Sequence, residues 1–169
     1  MEDRALASFD LQRYLGLWFE IGRLPLRWED PDASEVTAHY SLNDDGSVQV
    51  DNRCLDGEGA PSRAVGRATV DDSAPGRLKV SFAPSPVNRL PLTQAGYWVL
   101  KLDEDYRYAL VGTPRRRHLW LLARDSEVPN DVHREYLAEA EARGYELTEW
   151  ITPVQTGTRV TDEDLGLHP

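Results

Sequence analysis

Gly16-Leu17-Trp18-Phe19-Glu20-Ile21-Gly22-Arg23-Leu24-Pro25 is the stretch from which the fold can be read. It opens on a glycine, closes on a proline and is filled between them with aromatic and branched side chains, the composition of a strand. Trp18 is a large ring on a strand that Gly16 introduces. A glycine there permits a sharp bend and the close approach of another group. The counterpart lies far downstream in Leu119-Trp120-Leu121-Leu122-Ala123-Arg124, a second apolar strand that ends in an arginine.

Between these two strands the chain alternates. In Val36 to Leu42, Val36, Ala38, Tyr40 and Leu42 fall on one face and Thr37, His39 and Ser41 on the other, a period of two. Asn43-Asp44-Asp45-Gly46 is a hairpin turn. Val48 to Leu55 follows with Val48, Val50, Asn52 and Cys54 on one face. Further strands are expected at about 63–70, 78–82, 97–102 and 106–112, and the last at 118–124. Asp10 is placed to cap a short turn through Leu15. One convincing helix is predicted over about 131–143, capped by Asn130 and stopped by Gly144. The chain thus reads as eight evenly spaced strands and a helix, with flexible tails at 1–8 and 156–169 around a single domain at 9–155. Eight strands close into a barrel wide enough for one small ligand.

Composition narrows the function. The 169 residues carry a net charge of −10, which argues against nucleic acid and against an anionic membrane surface, both of which demand a basic face. Cys54 is the single cysteine, so no intramolecular disulfide forms. The histidines His39, His118, His133 and His168 are scattered, and no pair has metal-ligand spacing. No apolar run reaches a membrane span. Met1-Glu2-Asp3-Arg4 lacks a signal-peptide start and a lipid-attachment cysteine, which reads as cytoplasmic; a trimmed export segment would make it periplasmic or membrane-associated. Phosphate loops, nucleophile elbows and paired catalytic acids are absent from the pattern, so no catalytic residue and no cofactor is expected.

The segment Tyr14 to Arg23, taken in order with Tyr40, the Asp44–Gly46 turn, Asn52 and Leu119 to Arg124, resembles the lipocalin family, and within it the bacterial lipocalin and apolipoprotein D branch. The resemblance covers residues 9–155. It implies an eight-stranded antiparallel up-and-down β-barrel with a C-terminal α-helix packed outside. It places Gly16, Trp18 and Arg124 at the closed base, guanidinium over indole, and the loop 24–33 at the open mouth.

Arg124 at the base fixes Trp120 and Leu122 inward by parity. The other inward candidates are Tyr40, Val50, Asn52, Val80, Phe82, Tyr97, Val99 and Tyr108, with small residues Ala38, Gly66 and Ala68 leaving space beside them. An apolar cup with a few polar groups is the usual make-up of a small-molecule site. The expected function is non-catalytic binding or transport of a small hydrophobic or amphipathic ligand, a fatty acid or a lysophospholipid. Asn52 and Tyr108 are expected to meet its polar end. Arg115-Arg116-Arg117 reads as a solvated turn at the mouth, with a lipid head-group contact as the rival. Two other readings stay open: a lipid-modifying enzyme using the same cavity, and a protein-interaction module whose core is filled. A homodimer is possible in each.

Overall fold

The computed structural model describes residues 4–167; Met1 to Asp3, His168 and Pro169 lie outside the described residues. Eight strands run in chain order: β1 Gly16–Arg23, β2 Ser34–Leu42, β3 Val48–Leu55, β4 Pro61–Val70, β5 Arg77–Ser81, β6 Ala95–Leu102, β7 Tyr108–Gly112 and β8 Leu119–Ala123. Each pairs antiparallel with its neighbour, and β8 pairs back onto β1 to close the barrel. Closure leaves no strand edge open. A one-turn helix, α1 (Leu11–Tyr14), precedes β1, and α2 (Asn130–Ala142) follows β8. Asp10 caps α1 by accepting the Gln12 N–H. Pro129, rather than Asn130, occupies the cap position of α2 and offers no side-chain bond.

The barrel has two apolar layers. Inside are Trp18, Tyr40, Val48, Val50, Ala68, Leu78, Val99, Val111 and Leu122. Outside β1 and β6–β8 lies a second cluster in which Phe19, Ile21, Leu100, Leu110, Leu119 and Leu121 meet Tyr136 and Ala140 of α2. Burial on both faces explains why β8 reads as a continuous apolar run while β2 and β3 alternate.

Tyr108, expected inside, is on the outer face. Its ring stands edge-on to Tyr136 at 6.0 Å between centroids. Tyr106, two residues earlier, is buried with the inner cluster and has a φ of 56° in the preceding turn. That left-handed residue reverses the parity of the strand behind it. Ala109 and Val111 pair with Leu122 and Trp120 and face inward in its place.

Both termini are seated over part of their length, where loose tails were expected. Leu6 packs against the inner cluster at the base. At the other end, Ile151 bridges to Arg23, and the Gln155 amide donates to the carbonyls of Glu20 and Val36, each at 2.8 Å. Val160 is buried, and Arg53 reaches the Val160 carbonyl and the Asp162 carboxylate. A polar segment gains this seat because the outer face of β3 carries the Asp51–Arg53 pair, and Arg53 has donors left over for Asp162 and the Val160 carbonyl.

The base is held by one side chain. The Arg124 guanidinium stacks 3.8 Å from the Trp18 ring centroid. Its nitrogens donate to five carbonyls: Tyr106 at 3.0 Å, Leu15 at 3.1 Å, Leu17 at 2.9 Å, Arg13 at 2.8 Å and Tyr14 at 3.2 Å. Gly16, at a φ of +102°, lets the chain turn beneath the guanidinium in a conformation that other residues rarely adopt. The Trp18 indole donates to the Tyr14 carbonyl at 2.8 Å.

Because a lysine ammonium cannot reproduce that planar fork, Arg124→Lys should cost about 2 kcal/mol, from several lost hydrogen bonds at roughly 1 kcal/mol each. In a domain of this size that is a fall in Tm of roughly 4–8 °C. Trp18→Ala should cost about 3–5 kcal/mol. Thermal melts followed by circular dichroism check both, and a melt like wild type for either would remove the stack from its structural role.

Candidate functional site

The closed end of the barrel holds a tyrosine cluster. The Tyr97 hydroxyl bonds to that of Tyr14 and, at 2.8 Å, to that of Tyr40. Burial pushes Tyr40 up to about 12 and holds Tyr14 and Tyr97 well above the usual phenol range. All three stay neutral at physiological pH, each able to donate and accept. Above them Val50, Ala68, Leu78 and Val80 line a cavity whose free space is about 10 Å³, roughly the volume that one water needs.

The mouth holds a charged cluster. Glu20 shares its face with Trp18 and pairs across to Leu122, so it points into the barrel. A bulge between Glu20 and Gly22 then turns Arg23 inward as well, opposite Trp120. The Arg23 side chain is fully buried. Its Nη1 donates to Glu20 Oε2 at 3.1 Å, its Nε faces Glu29 Oε2 at 3.5 Å, and its Nη2 donates to the Asp30 carbonyl at 2.8 Å. Glu29 and Asp30 belong to the β1–β2 loop, which therefore folds over the mouth. Asp30 fastens it further by accepting the Gly57 N–H of the β3–β4 loop at 2.9 Å.

Burial, reinforced by the neighbouring Glu29 charge and opposed by Arg23, pushes Glu20 up to about 8. Burial also raises Glu29, with Arg23 again opposing. The Cys54 thiol is pushed up to about 11, mainly by burial and next by Glu29 and Glu20. Three buried polar atoms find no hydrogen-bond partner here: Arg23 Nε, Glu29 Oε1 and Asn52 Oδ1.

Of the expected lining residues, Tyr40, Val50, Val80, Tyr97, Val99, Trp120 and Leu122 belong to the inner cluster. Asn52 pairs with the inward Ala38 and shares its face. Phe82 is at the rim, 47% exposed. Its ring lies over Gly66, where a Cβ would stand 2.8 Å from it, so Gly66 makes room for Phe82 and not for a ligand. Tyr108 is excluded from the cup. Gly16, Trp18 and Arg124 are at the base. Sequence reasoning missed Glu20, Arg23, Glu29 and Tyr14. The parity of Trp18 was enough to find Glu20; Arg23 depends on the bulge and Glu29 on the course of a loop.

The barrel is plugged at one end, apolar along its inner wall and polar at two levels. The chain belongs to the lipocalin family, whose members bind small hydrophobic ligands: the lipocalin-like domain model matches residues 9–155. The chain is 39% identical over 154 residues to the outer membrane lipoprotein Blc of Escherichia coli K12, covering 89% of this chain and 82% of that one. It is 30% identical over 159 residues to temperature-induced lipocalin-1 of Arabidopsis thaliana, covering 93% and 85%. It is 34% identical over 136 residues to bovine apolipoprotein D, covering 74% and 66%. Insecticyanin from the tobacco hornworm superposes with a TM-score of 0.72 at 19% identity, covering 93% of this chain and 86% of that one.

The raised Glu20 binds a proton in the fold that it would release unfolded. Its stabilising contribution is complete below the ordinary carboxyl value of 4.5, declines as pH rises and is gone above about 8. His118 and His133, lowered by burial, act in the opposite sense, but only below their ordinary value of 6.5. Between pH 6.5 and 8, wild-type stability should therefore fall, and Glu20→Gln should flatten that fall. Urea titrations across this window check it.

Proposed function

We propose that the barrel binds a single-chain amphiphile, a long-chain fatty acid or a lysophospholipid, non-covalently and without chemical change. The observation that supports this best is the division of the interior: an apolar wall, with polar groups limited to the tyrosine hydroxyls below, the Arg23 cluster at the mouth and Asn52. Burying roughly 300 Å² of hydrocarbon at about 25 cal/mol per Å² supplies about 7 kcal/mol before the losses of association. The chain enters from the mouth past Trp120 and Phe82, and interior side chains move aside where it reaches the tyrosines, because the cavity there is far below the volume of such a ligand. Burial pushes the Cys54 thiol up to about 11, which favours the protonated form at neutral pH and speaks against a nucleophilic role. The relatives named outer membrane lipoproteins support a membrane-associated setting for this binding. Among the described residues no helix is long and apolar enough to cross a membrane.

The same small free space favours a second reading, in which the interior is a filled core and the barrel presents its loops to a protein. Titration separates the two. Oleic acid or an oleoyl lysophospholipid should change tryptophan fluorescence saturably, and Trp120→Ala should remove most of the change while the protein stays folded. Ala68→Trp, which fills the cavity beside the tyrosines, should weaken binding at least tenfold. Binding unaffected by both substitutions would place the ligand outside the barrel, and absence of binding would favour the filled core. Iodoacetamide should label Cys54 at pH 7.5 far more slowly than free cysteine; fast labelling would reopen the enzymatic reading.

A further inference from the structure

We propose that Arg23 is the anchor for an anionic ligand head group, and that Glu29 is a built-in counterion which such a head displaces, opening the β1–β2 loop. This rests on the amphiphile-binding reading and specifies its head group. Arg23 is fully buried at the mouth, where an incoming chain would leave its polar end. A guanidinium in that position requires an anion, and two carboxylates reach it by different routes. Glu20 comes from the barrel wall, three residues away on the same strand, and cannot leave. Glu29 comes from the loop, and its attachment is poor: 3.5 Å from Nε, with Oε1 buried and unpartnered and Nε itself without a hydrogen bond.

The stand-in is therefore badly fitted in the respect that a ligand would improve. A free carboxylate or phosphate monoester can approach Nε and Nη2 in the two-point geometry that arginine prefers, which the tethered Glu29 does not achieve. Glu29, once released, regains the water that burial denies its carboxylate. Charge is conserved in the exchange, one anion for another. The proton on Glu20 matters as well: near neutral pH, Glu20 is largely uncharged and does not repel the incoming head. Asn52, on the same inner wall with its Oδ1 buried and unpartnered, would accept from a hydroxyl or a protonated oxygen of that head. The exchange removes part of what holds the loop: Arg23 holds Glu29 and bonds the adjacent Asp30 carbonyl, leaving the Asp30–Gly57 bond as the remaining tie. The exposed Trp28 rests edge-on against His118 at 5.1 Å, a weak hold at the loop's outer side.

The test uses the full chain, with oleic acid, oleoyl lysophosphatidic acid and oleyl alcohol as probes and fluorescence titration at pH 7.5. Glu29→Gln, which removes the competing charge and keeps the side chain's size, should tighten an anionic probe about tenfold and leave oleyl alcohol unchanged. Trypsin cleavage after Arg27 should accelerate when wild type is saturated with an anionic probe, but not with the alcohol. A response to only one of the two anions supports the anchor and identifies the head as carboxylate or phosphate. Equal effects of Glu29→Gln on acid and alcohol, or none on either, would overturn the anchor while leaving amphiphile binding intact. If wild type binds none of the three probes, both the anchor and the binding reading fall.

Discussion

The stack of Arg124 on Trp18 joins the last strand to the first, and the barrel depends on it. Strand pairing alone would bring β8 to β1, but carbonyls at the base of the cylinder still need donors. Arg124 donates to four carbonyls of the entering chain and to that of Tyr106 while its flat face covers the indole. A buried carbonyl without a partner costs about as much as a lost hydrogen bond, so one side chain closes both the sheet and its hydrogen-bond account. It also sets the direction of every side chain on β8, and through cross-strand pairing it orients those on β1 and β7.

From that closed end the barrel divides along its circumference. β1 and β6–β8 are apolar on both faces because α2 covers them, with Lys101 and Arg143 tying the helix down at Glu135 and at the Leu100 carbonyl. β2 to β4 are apolar only inside. Their outer face carries Asp51 between Arg53 and Arg63, and the C-terminal segment extends that network through Asp162. The mouth is left to loops, and the interior is the one place where apolar wall and polar groups meet out of water.

The charged group at the mouth is not explained by stability. Taking Arg23 and two carboxylates out of water costs several kcal/mol per ion, and apolar replacements of such clusters are often neutral or stabilising. The upward shifts of Glu20 and Glu29 register that cost. A cluster that is costly to bury, holds a loop across the entrance and leaves buried atoms unpartnered is better understood through what it would bind than through what it supports.

The strand count, the hairpin turns and the C-terminal helix were legible in the sequence, because alternation and turn chemistry are local; the pairing of Trp18 with Arg124 came from the family resemblance. Parity carried from Arg124 placed Trp120 and Leu122, and the unbroken alternation of β2 and β3 placed Tyr40, Val50 and Asn52. Parity failed where the chain departs from a flat ladder. The left-handed Tyr106 put Tyr108 outside, and the bulge before Gly22 put Arg23 inside. Neither can be read from one strand, since a bulge exists only relative to the partner against which it is counted. The meeting of Tyr14, Tyr40 and Tyr97, the descent of Glu29 into the mouth and the seat of the C-terminal segment join residues far apart in the chain. The sequence by itself determined which residues could face inward; only closure of the barrel decided which of them meet, because those contacts depend on distances that no local pattern encodes.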